Sequence, residues 1–140
     1  MIGYATLGTK NLDKAMAFYD ELLALVDGKQ LMGLDRIKFY GTDAGGAMLA
    51  ICTPADEGDQ TCGNGQMVAI PGGTPEGAQA LYNKAIELGA TDGGEPGQRL
   101  PFFLWFVRVR PGWQQAVLLP YDTSLNKRYN FTCIIHHVSE

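Results

Sequence analysis

The chain has 140 residues, 46% of them apolar, which is the size of one ordinary domain with enough apolar content to bury a core. A formal charge of −4, without a clustered basic run, excludes a nucleic-acid footprint and an anionic membrane surface, and leaves a small molecule as the expected partner. No apolar run approaches the roughly 20 residues of a membrane span, and the N-terminus has no basic-then-apolar leader, so the sequence reads as cytoplasmic.

Taken in chain order, Tyr4 to Leu7 is a short β-prone run, and Asn11 is a favoured N-cap for the helix that follows. In that helix Leu12, Ala15, Met16, Tyr19, Leu22, Leu23 and Val26 follow the 3, 4 spacing of one buried stripe, which ends near Asp27-Gly28. Three strands are predicted next, over Lys29 to Leu34, Ile37 to Gly41 and Ala47 to Cys52, before a glycine- and acid-rich loop from Pro54 to Gly65. A second β-prone run, Met67 to Ile70, leads to Thr74 as cap and Pro75 at the first helical position. The stripe of this second helix is Ala78, Leu81, Tyr82, Ala85 and Leu88. A weak strand near Thr91, a strong one over Phe102 to Val109, a Pro111-Gly112 turn and a strand over Gln114 to Leu119 complete the pattern.

The two halves superimpose in sequence at an offset of 63 residues, without a gap over 22 positions. Tyr4-Ala5-Thr6-Leu7 falls on Met67-Val68-Ala69-Ile70, Asn11 on Thr74, and Tyr19 on Tyr82. The expected fold class is therefore α+β, with two βαβββ modules forming a cupped mixed sheet around a pocket. Module one spans residues 1–53, a linker 54–64, module two 65–119, and 120–140 is an atypical C-terminal extension of the same domain. Cys52, Cys62 and Cys133 are odd in number and unrelated in spacing, which predicts free thiols and neither a disulfide framework nor a CxxC zinc site.

Ile2-Gly3-Tyr4-Ala5-Thr6-Leu7-Gly8-Thr9-Lys10-Asn11-Leu12 with Ala17-Phe18-Tyr19, then Gly65 to Ala69 and Gly89 to Arg99, resemble the module openings of the vicinal oxygen chelate superfamily. This is the family of glyoxalases, bleomycin resistance proteins and dioxygenases. The resemblance covers roughly residues 1–103 and implies the paired-module fold; the superfamily includes isomerases, lyases, dioxygenases, thiol transferases and drug-binding proteins, so it implies no single reaction. In its metal-using members a divalent ion is held by a His or Gln on the first strand and a carboxylate on the fourth strand of each module. The corresponding places here are Tyr4, Thr53 or its neighbour Cys52, Met67 and Val117, none of them a good ligand for a hard or borderline cation. His136 and His137 are adjacent at the far C-terminus, on opposite faces of any strand. The expectation is a protein without a divalent metal or other cofactor.

The candidate pocket residues are Tyr4, Cys52, Met67, Phe103 and Arg99. Tyr4 offers a phenol, Met67 a polarizable thioether suited to an apolar or aromatic ligand, Cys52 a thiol, and Arg99 a guanidinium that can clamp an anionic group. The alternative readings are core packing for Tyr4 and Met67, an inert buried thiol for Cys52 and a solvated loop residue for Arg99. Three functions follow: metal-free binding of a small molecule, a glyoxalase-like lyase or isomerase acting on a small oxygenated substrate, or an interaction module with a vestigial pocket. A homodimer is expected, from the resemblance and from Tyr129 to Val138, a β-prone segment without a partner in the repeat plan.

From Leu104 onward the resemblance stops, where family members continue to an Asp-x-Asp-Gly-Asn turn and a last strand. One reading that explains the break is a shift of the coding frame near Phe103. The stretch Trp113 to Tyr121 can be encoded as TGG CAA CAA GCT GTG CTT CTT CCA TAT G, which read one base later gives Gly-Asn-Lys-Leu-Cys-Phe-Phe-His-Met. Arg110-Pro111-Gly112 likewise yields Asp-Leu-Asp just before it. The pattern of alternation survives the change, with Phe103, Trp105, Val107 and Val109 on one face, and predicts a closing hairpin over residues 102–119.

Overall fold

The computed structural model describes residues 1–61, 68–92, 97–100, 103–110 and 116–119. The chain divides into two compact units, Met1–Cys62 and Gly63–Glu140. Met67, Cys62, Cys133, both histidines and the segment Tyr129 to Val138 lie outside the described residues.

In the first unit β1 (Tyr4–Gly8) is followed by α1 (Leu12–Ala24), β2 (Lys29–Leu34), β3 (Ile37–Gly41) and β4 (Met48–Cys52). The sheet order is β1-β4-β3-β2, with β1 parallel to β4 and the remaining pairs antiparallel. Asn11 caps α1 by accepting from the Lys14 amide at 2.9 Å. The helix buries Ala15, Phe18, Tyr19, Leu22 and Leu23. Phe18 joins this face, while Leu12, Met16 and Val26 stay half-buried, because the stripe is narrower than the predicted one. The Leu7, Tyr40 and Ile51 side of the sheet is buried beneath α1, and the Tyr40 hydroxyl donates to Asp20 of the helix at 2.9 Å. Leu22 is fully enclosed, so Leu22→Ala is expected to cost about 3 kcal/mol. Leu25→Ala, at a residue left half exposed by the end of the helix, should cost less than about 0.5 kcal/mol. Urea midpoints of the two variants check the contrast.

The second unit repeats the plan with β5 (Ala69–Pro71), α2 (Pro75–Glu87), β6 (Thr91–Asp92), β7 (Gly97–Leu100), β8 (Phe103–Arg110) and β9 (Ala116–Leu119). Helices α1 and α2 are both 13 residues long and begin and end at the predicted offset, and the Thr74 hydroxyl caps α2 on the Gly77 amide at 3.1 Å as Asn11 caps α1. Ala78, Leu81 and Ala85 are buried at the positions of Ala15, Phe18 and Leu22. Both helices finish with a reversed last turn closed by a bond to the carbonyl five residues back, Gly28 to Leu23 and Ala90 to Ala85. The left-handed residue is Asp27 in one and Gly89 in the other.

The outermost strand, a single element in the first unit, is split here into β6 and β7, both antiparallel to β8. Sequence periodicity misses β7, because Gly97-Gln98-Arg99-Leu100 has no alternation of its own and is a strand only through its ladder to β8. The expected closing hairpin is present, with Val107 opposite Leu118 and Arg108 opposite Val117. Strand β9 then runs parallel to β5, Val117 beside Ala69.

Candidate functional site

In the first unit the register sorts the strands into two faces. Ala5, Leu7, Leu49, Ile51 and Tyr40 belong to the face under α1; Tyr4, Thr6, Met48, Ala50, Cys52, Ile37, Phe39, Met32 and Leu34 belong to the other. This second face is apolar and open. Tyr4 retains 51% of its surface and Leu34 64%, while Met48, Ile37 and Cys52 are half-buried. Contiguous exposed apolar surface is the kind that ligand-binding grooves and interaction sites use.

The geometry at its centre follows from one small residue. Ala50 stands between Phe39 in its own row and the row of Tyr4 and Met48, and its methyl leaves room for the two rings to meet across β4. They do so edge to face, with centroids 5.1 Å apart and planes at 89°, the arrangement that the ring quadrupoles favour. A bulge between Gln30 and Met32 brings Leu31 to the same side, where its side chain fills the space left by the missing side chain of Gly41, beside Met48.

The loop after β4 folds back over the far end of this face. Lys10 fastens it through a 2.7 Å ion pair to Asp59, and Gln60 lays its side chain against Gly8, where a Cβ would approach the Gln60 Cγ to 3.0 Å. Gly8 is the register partner of Cys52, so the Gln60 carboxamide joins the thiol at that end. Neither Phe39 nor Gln60 is marked by sequence pattern alone: Phe39 reads as one apolar residue among several, and Gln60 sits in a stretch that reads as solvated loop.

Of the residues singled out from sequence, Tyr4 and Cys52 lie on the open face. Thr53 lies one residue past the strand, where its amide donates to the Arg36 carbonyl and its own carbonyl accepts from the Arg36 guanidinium at 3.1 Å, so of the two it is Cys52 that the register puts on the open face. In the second unit Val117 pairs with Ala69 as Ala50 pairs with Thr6, which makes Leu119 the counterpart of Cys52. Arg99 is in β7 and Phe103 opens β8, with Leu100 opposite Phe103. Met67 is outside the described residues.

The donors at these places do not fit the divalent ion of the metal-using proteins. A phenol at Tyr4 and a thiol at Cys52 are not the imidazole and carboxylate set that such an ion requires, and the open face carries neither group among its described residues. Among the described residues, no three His, Cys, Asp or Glu side chains come together as a metal cluster. No described helix is long and apolar enough to cross a membrane.

No family model matches the chain, and no curated protein matches it in sequence. The fold is nevertheless well represented among solved structures. A glyoxalase/bleomycin resistance protein from Albidiferax ferrireducens T118 is 25% identical, with a TM-score of 0.77 over 87% of this chain and 99% of that one. A glyoxalase/bleomycin resistance protein/dioxygenase family enzyme from Burkholderia phytofirmans PsJN is 15% identical, with a TM-score of 0.67 over 84% and 96%. A lactoylglutathione lyase from Agrobacterium tumefaciens is 17% identical, with a TM-score of 0.63 over 86% and 92%.

Proposed function

We propose that this chain, which has the fold of the glyoxalase/bleomycin resistance/dioxygenase superfamily, is a metal-free small-molecule-binding protein whose ligand sits on the open face of the first sheet. One observation carries the reading. The Tyr4 ring is held by Phe39 yet half exposed, in one row with Met48 and on the same apolar face as Cys52. Binding there requires only shape, apolar area and a few polar atoms. A lyase or isomerase of the metal-dependent kind requires a Lewis acid, and the donors at Tyr4 and Cys52 do not suit one.

Two measurements test this. Elemental analysis after mild dialysis is expected to find no stoichiometric zinc, nickel, iron or manganese, and about one such ion per chain overturns the reading. A thermal-shift screen with drug-like aromatic compounds is expected to yield a ligand that, at a hundred times its Kd, stabilises the protein by about 2.7 kcal/mol. Tyr4→Ala should abolish that shift while leaving the unliganded protein folded.

The protein is further proposed to be a homodimer in solution, on the strength of the superfamily likeness and the unassigned β-prone segment Tyr129 to Val138. Light scattering at tens of micromolar, a range set by ordinary dimer affinities, is expected to give twice the chain mass; a clean monomer overturns it.

A further inference from the structure

We infer that the ligand of the open face is a flat, uncharged aromatic molecule bearing an oxygen that hydrogen-bonds the Tyr4 phenol; this rests on the binding reading above. Three observations on the same face point to that chemistry.

The first is the unfinished aromatic cluster. Tyr4 and Phe39 already meet edge to face, Phe39 is buried, and Tyr4 remains half exposed. A third ring therefore finds one partner that is both rigid and accessible, and offset stacking or a second edge contact rewards an aromatic ring over a saturated ring of equal area. Met48 and Met32 belong to the same face and supply thioethers, which favour ring edges.

The second is the kind of polar atom on offer. The face presents the Tyr4 phenol, the Cys52 thiol and the Gln60 carboxamide, all neutral groups. The Tyr4 hydroxyl has no hydrogen-bond partner among the described residues, so a ligand oxygen bonds there in exchange for water and breaks no bond within the protein.

The third is charge. Among the described residues, the charged one that register places on this face is Lys29, at the outer end of β2, and its ammonium is already paired with Asp43 at 2.8 Å. A carboxylate or phosphate lowered onto the Tyr4 and Phe39 rings gives up its hydration and meets no unpaired cation among the described residues of this face.

The test is an NMR titration of the full chain with three probes of one shape: naphthol, its saturated counterpart decalinol, and naphthoate. Naphthol is expected to bind about tenfold more tightly than decalinol, with naphthoate weaker than naphthol and the largest shifts at Tyr4, Phe39 and Met48. Tyr4→Leu should bring naphthol down to decalinol. Tyr4→Phe should keep the preference of naphthol over decalinol while binding naphthol more weakly than the unsubstituted chain does, for want of the phenol's hydrogen bond. Because Tyr4 is exposed, both variants are expected to fold, and their circular dichroism checks it. Equal binding of naphthol and decalinol, or tighter binding of naphthoate, overturns the inference and leaves the binding reading standing. Failure of all three probes and of the wider aromatic screen overturns both.

Discussion

Alkali is expected to unfold the first unit steeply, with stability flat up to about pH 10 and falling by about 2.7 kcal/mol per pH unit above it. Two buried phenols cause this. Tyr19 is fully enclosed between α1 and the sheet, and desolvation, reinforced by the neighbouring Tyr40, pushes its pKa well above the ordinary 10.0. Tyr40 is pushed up in the same direction by burial first, then by its hydrogen bond to Asp20 and the charge of that carboxylate. The sign follows from proton binding: below about pH 10 both states are neutral and the stabilisation is whole. Above it the unfolded chain releases protons that the folded one retains, so rising pH favours unfolding until the raised native values are passed. Tyr40→Phe removes one of the two titrations and should halve the slope, to about 1.4 kcal/mol per pH unit. Urea midpoints followed by circular dichroism between about pH 9 and about pH 11.5 decide the matter, since surface tyrosines alone give a flat profile there.

Gly77→Ala, inside helix α2, is expected to destabilise the protein by about 2 kcal/mol, against a helix-propensity gain of about 1 kcal/mol. The reason is a close approach that the helix alone does not reveal. The turn before α2 carries the Gly72 carbonyl against the helix at Gly77, so a Cβ there collides with that oxygen, and a Cβ on Gly72 collides in turn with the Ala78 amide. Backbone on both sides leaves nothing flexible to move aside. At the equivalent position of α1 stands Lys14, and the residue equivalent to Gly72 is the buried Thr9, whose hydroxyl accepts from the Asn11 amide. Ala80→Gly, at an exposed position of α2, should show the ordinary propensity loss of about 1 kcal/mol. If both substitutions follow propensity, the close packing at Gly72 and Gly77 is wrong.

How much of this was legible in the sequence depended on whether a residue's role was set locally. The helix limits were, because Asn11 and Thr74 fix the starts and Asp27 and Gly89 the reversals that stop them. The strands around β3 were legible for the same reason, being short apolar runs between turns. The site was only half legible. Tyr4 could be placed on the inward strand face from the repeat, but its partner Phe39 comes from a strand across β4, and the pairing depends on the registers at Met48 and Ala50. The choice between Cys52 and Thr53 turned on where β4 ends, which is fixed by the hydrogen bonds to Arg36 and by nothing in the local composition. Gln60 was hidden because a polar loop residue acquires a place only through a contact distant in sequence, here its side chain against Gly8.

The parallel pairing of first and last strands has a consequence for how the protein is made. In each unit the opening strand finds its partner only at the end of the module: Tyr4 waits for Met48, and Ala69 waits for Val117. During synthesis the β2–β3 hairpin and α1 can form as soon as they emerge, while β1 remains an unpaired edge until β4 is complete. The second unit is more exposed, since β5 is three residues long and its parallel partner β9 lies downstream of the point where the familiar sequence pattern breaks. A chain cut short anywhere between α2 and β9 leaves β5 with a bare edge.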